Sequence, residues 1–265
     1  MSERQIPATP VSPVAPYLGG KRNLASRVIE RIAKVSHDTY VEPFIGMGGI
    51  FLRRPFRAKG EVINDVSRDV SNLFRILQRH YEALMDMLKY QLTSRDEFQR
   101  LLDMNADSLT DLERAARFLY LQRVRFGGQP RSRTFGVAVA ASARFDVGRL
   151  GPLLDEVHQR LSGVVIECLP YEQLITRYDR PRTLFYLDPP YWGCEDDYGK
   201  SIFSPEDFGR IADLLGSLKG RFILSINDVP EIRQIFGRFQ IEEVMTTYSV
   251  GLKKKPAAEL LISSV

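Results

Sequence analysis

Thr183-Leu-Phe-Tyr-Leu187 carries no charged residue and stops at Asp188-Pro189-Pro190-Tyr191. Proline lacks the N–H that a sheet ladder needs, so the run reads as a buried strand ended by a rigid loop. A buried strand must pair with further strands and be covered by other elements. The rest of the chain supplies candidates for both.

A helix from Asn23, with Leu24, Val28, Ile29 and Ile32 on one face, precedes the strand-like run Thr39-Tyr-Val-Glu-Pro-Phe44. Glu61-Val-Ile-Asn64 is a second short strand, followed from Ser67 by one long helical pattern through Val70, Leu73, Phe74, Leu77, Tyr81, Leu84 and Leu88. Alternation resumes late in the chain, with strand 163–168, helix 171–177, strand 183–187, helix 205–218 and strand 221–226. Runs 239–249 and 258–264, separated by Gly251 and Lys253, Lys254 and Lys255, resemble a terminal antiparallel hairpin. In the middle, Ser94 with Glu97 and Thr110 with Glu113 are capping-box pairs that open helices 95–103 and 111–124. Residues 126–147, rich in Gly, Ala and Arg, read as loop and hairpin.

The expected fold class is therefore α/β: a doubly wound sheet from residues 17–84 and 151–265, ending in the antiparallel hairpin, with a helical and hairpin insertion at 85–150. Pro7, Pro10, Pro13 and Pro16 mark residues 1–16 as an extended, poorly ordered tail. In doubly wound sheets, ligands bind beyond the carboxyl ends of the strands, and the candidate residues cluster there.

Glu42-Pro-Phe-Ile-Gly46-Met-Gly48-Gly49 follows the first strand, and its glycines remove Cβ atoms that would keep a nucleotide-like ligand from the backbone. A tight strand-to-helix turn explains these glycines equally well when they are taken alone. Asp65 ends the second strand, where nucleotide-binding α/β domains place a carboxylate for ribose hydroxyls, although capping of the next helix accounts for it too. The prolines after Asp188 fix its carboxylate and the Pro189 carbonyl as two acceptors, beside the flat ring of Tyr191. Two acceptors gripping the N–H bonds of a planar amine, such as that of adenine, favour a pyramidal nitrogen with an available lone pair.

In this order, the chain resembles the Dam-like adenine-N6 DNA methyltransferases of the Asp-Pro-Pro-Tyr type. The resemblance rests on Pro16-Tyr-Leu-Gly-Gly-Lys21, the 42–49 segment, Ile63-Asn-Asp65, Asp188 to Tyr191, Ser225-Ile-Asn-Asp228 and Glu259-Leu-Leu-Ile262. It implies a methyltransferase-type, Rossmann-like sheet with a target-recognition insertion, S-adenosylmethionine as cofactor and double-stranded DNA as partner. It also implies that Tyr17, Lys21, Asp65 and Asp188 contact the cofactor, and that Asp188, Pro189, Pro190 and Tyr191 hold a flipped-out adenine. Glu42, Phe44, Gly46, Gly48 and Tyr171 complete the expected cofactor set. Two positions depart from the pattern: Pro170 stands where the family has an Asp, and Ile226 where it has an aromatic.

Seven arginines between Arg117 and Arg149 face a single acid, Asp146. Guanidinium groups match phosphates and guanine edges, so Arg123, Arg125, Arg131 and Arg133 are the expected DNA contacts; a solvated basic face is the alternative. The 265 residues, 44% hydrophobic and 26% charged with a formal charge of +4, are those of a globular chain. No apolar run reaches the roughly 18–20 residues that span a bilayer, and the first residues lack a signal-peptide pattern. A cytoplasmic monomer without membrane contact is expected. Cys168 and Cys194, with His37, His80 and His158, have no metal-ligand spacing, so no metal is expected. Alternatives at the level of activity are methylation of cytosine N4 or of an RNA base, and a non-catalytic DNA-binding relic.

Overall fold

The computed structural model describes residues 6–17, 21, 23–125, 132–136, 142–195, 202–250 and 253–264, with backbone alone for 247–250 and 253–257. In chain order the strands are β1 (Ile6–Pro7), β2 (Thr39–Glu42), β3 (Phe56–Arg57), β4 (Gly60–Asn64), β5 (Val165–Glu167), β6 (Thr183–Leu187), β7 (Arg221–Asn227), β8 (Gln240–Val250) and β9 (Lys253–Ser263). The helices are α1 (Ala25–Lys34), α2 (Arg68–Arg79), α3 (Tyr81–Leu88), α4 (Arg95–Asp103), α5 (Asp111–Val124), α6 (Val147–Arg160), α7 (Tyr171–Tyr178), α8 (Pro205–Gly216) and α9 (Pro230–Ile235).

Seven strands form one sheet in the order β5-β4-β2-β6-β7-β9-β8. From β5 to β7 neighbours run parallel; β9 is antiparallel to both β7 and β8. The chain leaves β2 toward β4 on one side and later adds β6 on the other. This reversal puts the ends of β2, β4 and β6 side by side at a topological switch point.

Alternate strand residues enter different cores because successive side chains point to opposite faces. Leu184 and Tyr186 join α2, α3, α5 and α6 on one face, whereas Phe185 and Leu187 join α7, α8 and α9 on the other. All five residues of β6 are buried, as expected for a parallel strand covered on both sides. The inserted helices α4 and α5 belong to the first of these cores and build none of their own. Thr110 and Glu113 exchange bonds as the capping-box reading expects, whereas at α4 only half of it forms: Ser94 accepts from the Glu97 N–H, and the Glu97 carboxylate is taken by Arg100 and Gln91.

Two expectations need correction. Residues 6–16 are extended but not loose: Ile6 and Pro7 pair with β3, and Val11, Val14 and Ala15 are buried. A proline-rich backbone keeps its carbonyls free, and side chains of α5 use them, Gln122 donating to Pro16 O and Arg123 to Val14 O. The long helix expected from Ser67 breaks at His80, whose φ of −131° and ψ of 37° leave the helical region. The break frees the Leu77 carbonyl, which lies 2.8 Å from Nδ1 of His158, and the His158 ring stacks on Tyr81. No proline or glycine marks this position, so the apolar periodicity ran through it unseen. Among the described residues no helix is long and apolar enough to cross a membrane.

Candidate active site

Three loops, each following a parallel strand, are tied together by one buried side chain. Asn64 donates to Pro43 O at 2.9 Å and to Leu169 O at 3.0 Å, and accepts from Leu169 N at 2.8 Å. Its own carbonyl receives the Ile45 N–H at 2.9 Å. The ends of β2, β4 and β5 are thus held in one arrangement, a role for Asn64 that the sequence motif did not isolate.

Within this frame Gly46 has a φ of +49°, and a Cβ there would lie 3.1 Å from the Tyr17 ring. Glycine is therefore needed both for its backbone conformation and for the approach of Tyr17. Asp65 accepts from Gly46 N at 3.0 Å and from Ser67 N at 2.9 Å, one to each carboxylate oxygen. The bond to Ser67 is the local turn role weighed from sequence; the bond to Gly46 joins Asp65 to the glycine loop. Burial pushes its carboxyl up to about 6, and the two N–H donors oppose that shift. A carboxylate offers roughly four lone-pair positions, so both bonds leave room for ligand hydroxyls.

Asp188 follows β6 and meets a second knot of charge. Lys21 Nζ lies 3.0 Å from Asp188 Oδ1 and 3.1 Å from Glu259 Oε2, donates to the Tyr191 hydroxyl, and sits 4.1 Å above the Tyr191 ring centroid. Ser225 also donates to Asp188 Oδ1, at 3.2 Å, and is itself paired with the Tyr186 hydroxyl at 2.8 Å. Both contacts fall on Oδ1; Oδ2 has no partner among the described residues. Burial raises the Asp188 carboxyl to about 6, with Lys21 pulling it down and Glu259 pushing it up. The loop itself is fastened to β7, because Trp192 N donates to Asn227 Oδ1 and Asn227 Nδ2 donates back to Trp192 O. Asp228, at the end of the same motif, is taken by a two-point pair with Arg233.

A cleft of about 1320 Å³ opens onto these groups. Tyr17, Lys21, Glu42, Phe44, Gly46, Asp65, Tyr171 and Asp188 all line it, so most of the expected cofactor set is brought together. Gly48, with a φ of +75°, shapes the turn from behind, its α-carbon facing Leu52. Glu42 is buried, accepts from the Tyr40 hydroxyl at 2.8 Å, and is pushed up to about 8 by burial. Pro170 begins the turn into α7, where no aspartate is available; Phe44, Tyr171 and Phe203 instead gather as an aromatic wall, with Tyr171 donating to Asp207 at 2.9 Å. Phe203 and Asp207 were not singled out from sequence, and Ser225 and Glu259 stood in quoted motifs without a role of their own, since only folding brings the four here.

The four arginines expected to contact DNA have different surroundings. Arg133 is 70% exposed and pairs with Asp103. Arg123 donates to the Val14 and Arg144 carbonyls, and Arg125 is buried; both line the cleft rather than an outer face. Arg131 lies outside the described residues, as do Gly127 and Gly128, and the side chains of Lys253, Lys254 and Lys255 are likewise undescribed.

The family profile described as D12 class N6 adenine-specific DNA methyltransferase matches residues 17–250. The Type II methyltransferase M1.LlaDCHI of Lactococcus lactis subsp. cremoris is 26% identical, over 94% of this chain and 92% of the relative. The Type II methyltransferase M.CviBI of Paramecium bursaria Chlorella virus NC1A is 22% identical over 91% and 93%, and the DNA adenine methylase of Haemophilus influenzae 24% over 95% and 92%.

Proposed function

Since this chain belongs to the D12 class of N6 adenine-specific DNA methyltransferases, we propose that it transfers a methyl group from S-adenosylmethionine to N6 of an adenine turned out of double-stranded DNA, with Asp188 as the acceptor that orients the amine. The carrying observation is the division of labour on that carboxylate. Oδ1 is pinned by Lys21 and Ser225, while Oδ2 is left for a ligand in the cleft.

The residues present fit the cofactor. Asp65 would take its ribose hydroxyls, the glycine turn at Gly46 would admit its polar end, and Phe44, Leu169, Pro170 and Tyr171 offer an apolar wall for a flat ring. When bound, S-adenosylmethionine supplies a methyl carbon made electrophilic by a positive sulfur.

The remaining chemistry belongs to the chain. Asp188 Oδ2 and the Pro189 carbonyl accept the two amino hydrogens, which turns the nitrogen lone pair out of conjugation with the ring. Base pairing would occupy one of those hydrogens and hold the amine inside the duplex, so the base must leave the stack at a cost of a few kcal/mol that the pocket offsets. Tyr191 then offers its ring to the base, which requires Lys21 to yield the face it now covers. After transfer the nitrogen is cationic, and Asp188, raised by burial, takes the departing proton before releasing it to water. Positioning and charge do the work, without a covalent enzyme intermediate.

The test is transfer of tritiated methyl groups to double-stranded DNA, followed by nucleoside analysis. N6-methyladenine is the expected product; 5-methylcytosine, or no incorporation, overturns the reading, and N4-methylcytosine replaces the base while leaving the acceptor geometry.

A further inference from the structure

Arg125 ends α5 as its C-cap and is 9% exposed, yet its guanidinium has no hydrogen bond and no ion pair among the described residues, and its Nε is fully buried without a partner. Burying an unpaired charge is costly, and proteins normally satisfy such a group with a carboxylate, carbonyls or an aromatic face. The acid whose charge reaches it is Asp69, but Asp69 is held by Arg114 at 2.5 Å. Arg117, on the same helix, adds like charge instead of relief and spends its own donors on the Leu101 and Leu102 carbonyls. Arg125 nevertheless lines the main cleft, as do Ser67 and Asp69 at the start of α2, where a helix N-terminus favours negative charge. The cleft also exceeds the roughly 300–1000 Å³ usual for one small ligand, so it has room for more than a cofactor.

We infer that Arg125 is an oxyanion subsite inside the cleft, its planar fork, which has no partner among the described residues, receiving a carboxylate or phosphate carried by a ligand there. This rests on the methyltransferase reading, which supplies two sources of that chemistry: the carboxylate of the cofactor's amino-acid end, or a phosphate beside the everted base. It differs from an outer-surface contact such as Arg133, because a buried guanidinium meets an anion without competing water and can grip it at two points.

Arg125→Met tests it, since methionine keeps much of the apolar stem and removes the charge. The ligand-free variant is expected to melt at a higher temperature than the parent, because an uncompensated buried charge is gone. Calorimetry with S-adenosylhomocysteine and with 5′-methylthioadenosine, which lacks the carboxylate, forms one arm. Binding of a mixed-sequence DNA duplex across a salt series, with S-adenosylhomocysteine saturating, forms the other. If the carboxylate is the ligand, affinity for S-adenosylhomocysteine falls about ten- to hundredfold while that for 5′-methylthioadenosine holds. If a phosphate is the ligand, duplex affinity falls by that factor and the salt slope by about one. Retention of both affinities, or a lower melting temperature with both retained, overturns the subsite. Should Arg125→Met not fold, Arg125→Gln carries the same titrations. A parent protein that binds neither S-adenosylhomocysteine nor DNA would instead defeat the methyltransferase reading itself.

Discussion

Lys21 Nζ stands 3.0 Å from the Asp188 carboxylate, joining the segment before α1 to the end of β6 although the two residues lie far apart in the chain. The pair fixes which carboxylate oxygen remains available and how readily the group loses its proton.

Asp188→Ala should therefore remove turnover while DNA binding persists. Losing an oriented polar group of this kind costs about 10²–10³-fold in rate, and more where it both orients and takes a proton. Single-turnover methyl transfer beside a duplex-binding titration checks it; near-normal transfer would end the assignment.

The acid limb of the rate profile should follow Asp188. Its carboxyl is raised to about 6, and only the ionised form offers Oδ2 to an amino hydrogen without presenting a proton of its own. The rate is expected to fall as pH drops through about 6. Lys21→Gln removes the cation that draws this value down, so the limb should move to higher pH. A limb that stays in place in the variant separates the pair from the titration.

Glu42 predicts a stability effect of defined sign. Burial raises its carboxyl from 4.5 to about 8, so the fold prefers the protonated group. Its contribution is complete below pH 4.5 and is lost as pH rises toward 8. Glu42→Gln is neutral throughout, and thermal melts of the ligand-free protein should favour the variant progressively from pH 5 to 8. A pH-independent difference would contradict the burial argument.

Asp65→Ala should weaken binding of S-adenosylhomocysteine by about 1–3 kcal/mol, the worth of hydrogen bonds to a charged group. Part of that loss is slackening of the glycine loop, because Gly46 N gives up its acceptor. Unchanged affinity in calorimetry would remove Asp65 from the cofactor site.

Tyr191→Phe should be milder than Tyr191→Ala in methyl transfer. The phenyl ring keeps the stacking face, worth about 1–3 kcal/mol for a base, and loses only the hydroxyl that Lys21 now engages. Equal losses in the two variants would assign the hydroxyl the larger part.

What was legible in the sequence is local. Ser94 and Thr110 announce α4 and α5 because a capping side chain and its backbone partner lie three residues apart. The uncharged run of β6 and the prolines after Asp188 set a buried strand and its stop, and the loop motifs stand in the chain directly after strands whose ends the sheet brings side by side. Tertiary structure decided what each charge meets. Nothing near Arg123 in sequence shows that it would bind the Val14 carbonyl, nor near Arg125 that its buried Nε would have no hydrogen-bond partner among the described residues. The same holds for the docking of residues 6–16, the helix break at His80, and the meeting of Lys21 with Glu259. Propensity, capping and alternation act over a few residues and are written in the order of the chain. Burial and pairing are set by whichever distant groups packing brings within about 4 Å, where loss of water makes an unmet charge costly and a met one decisive.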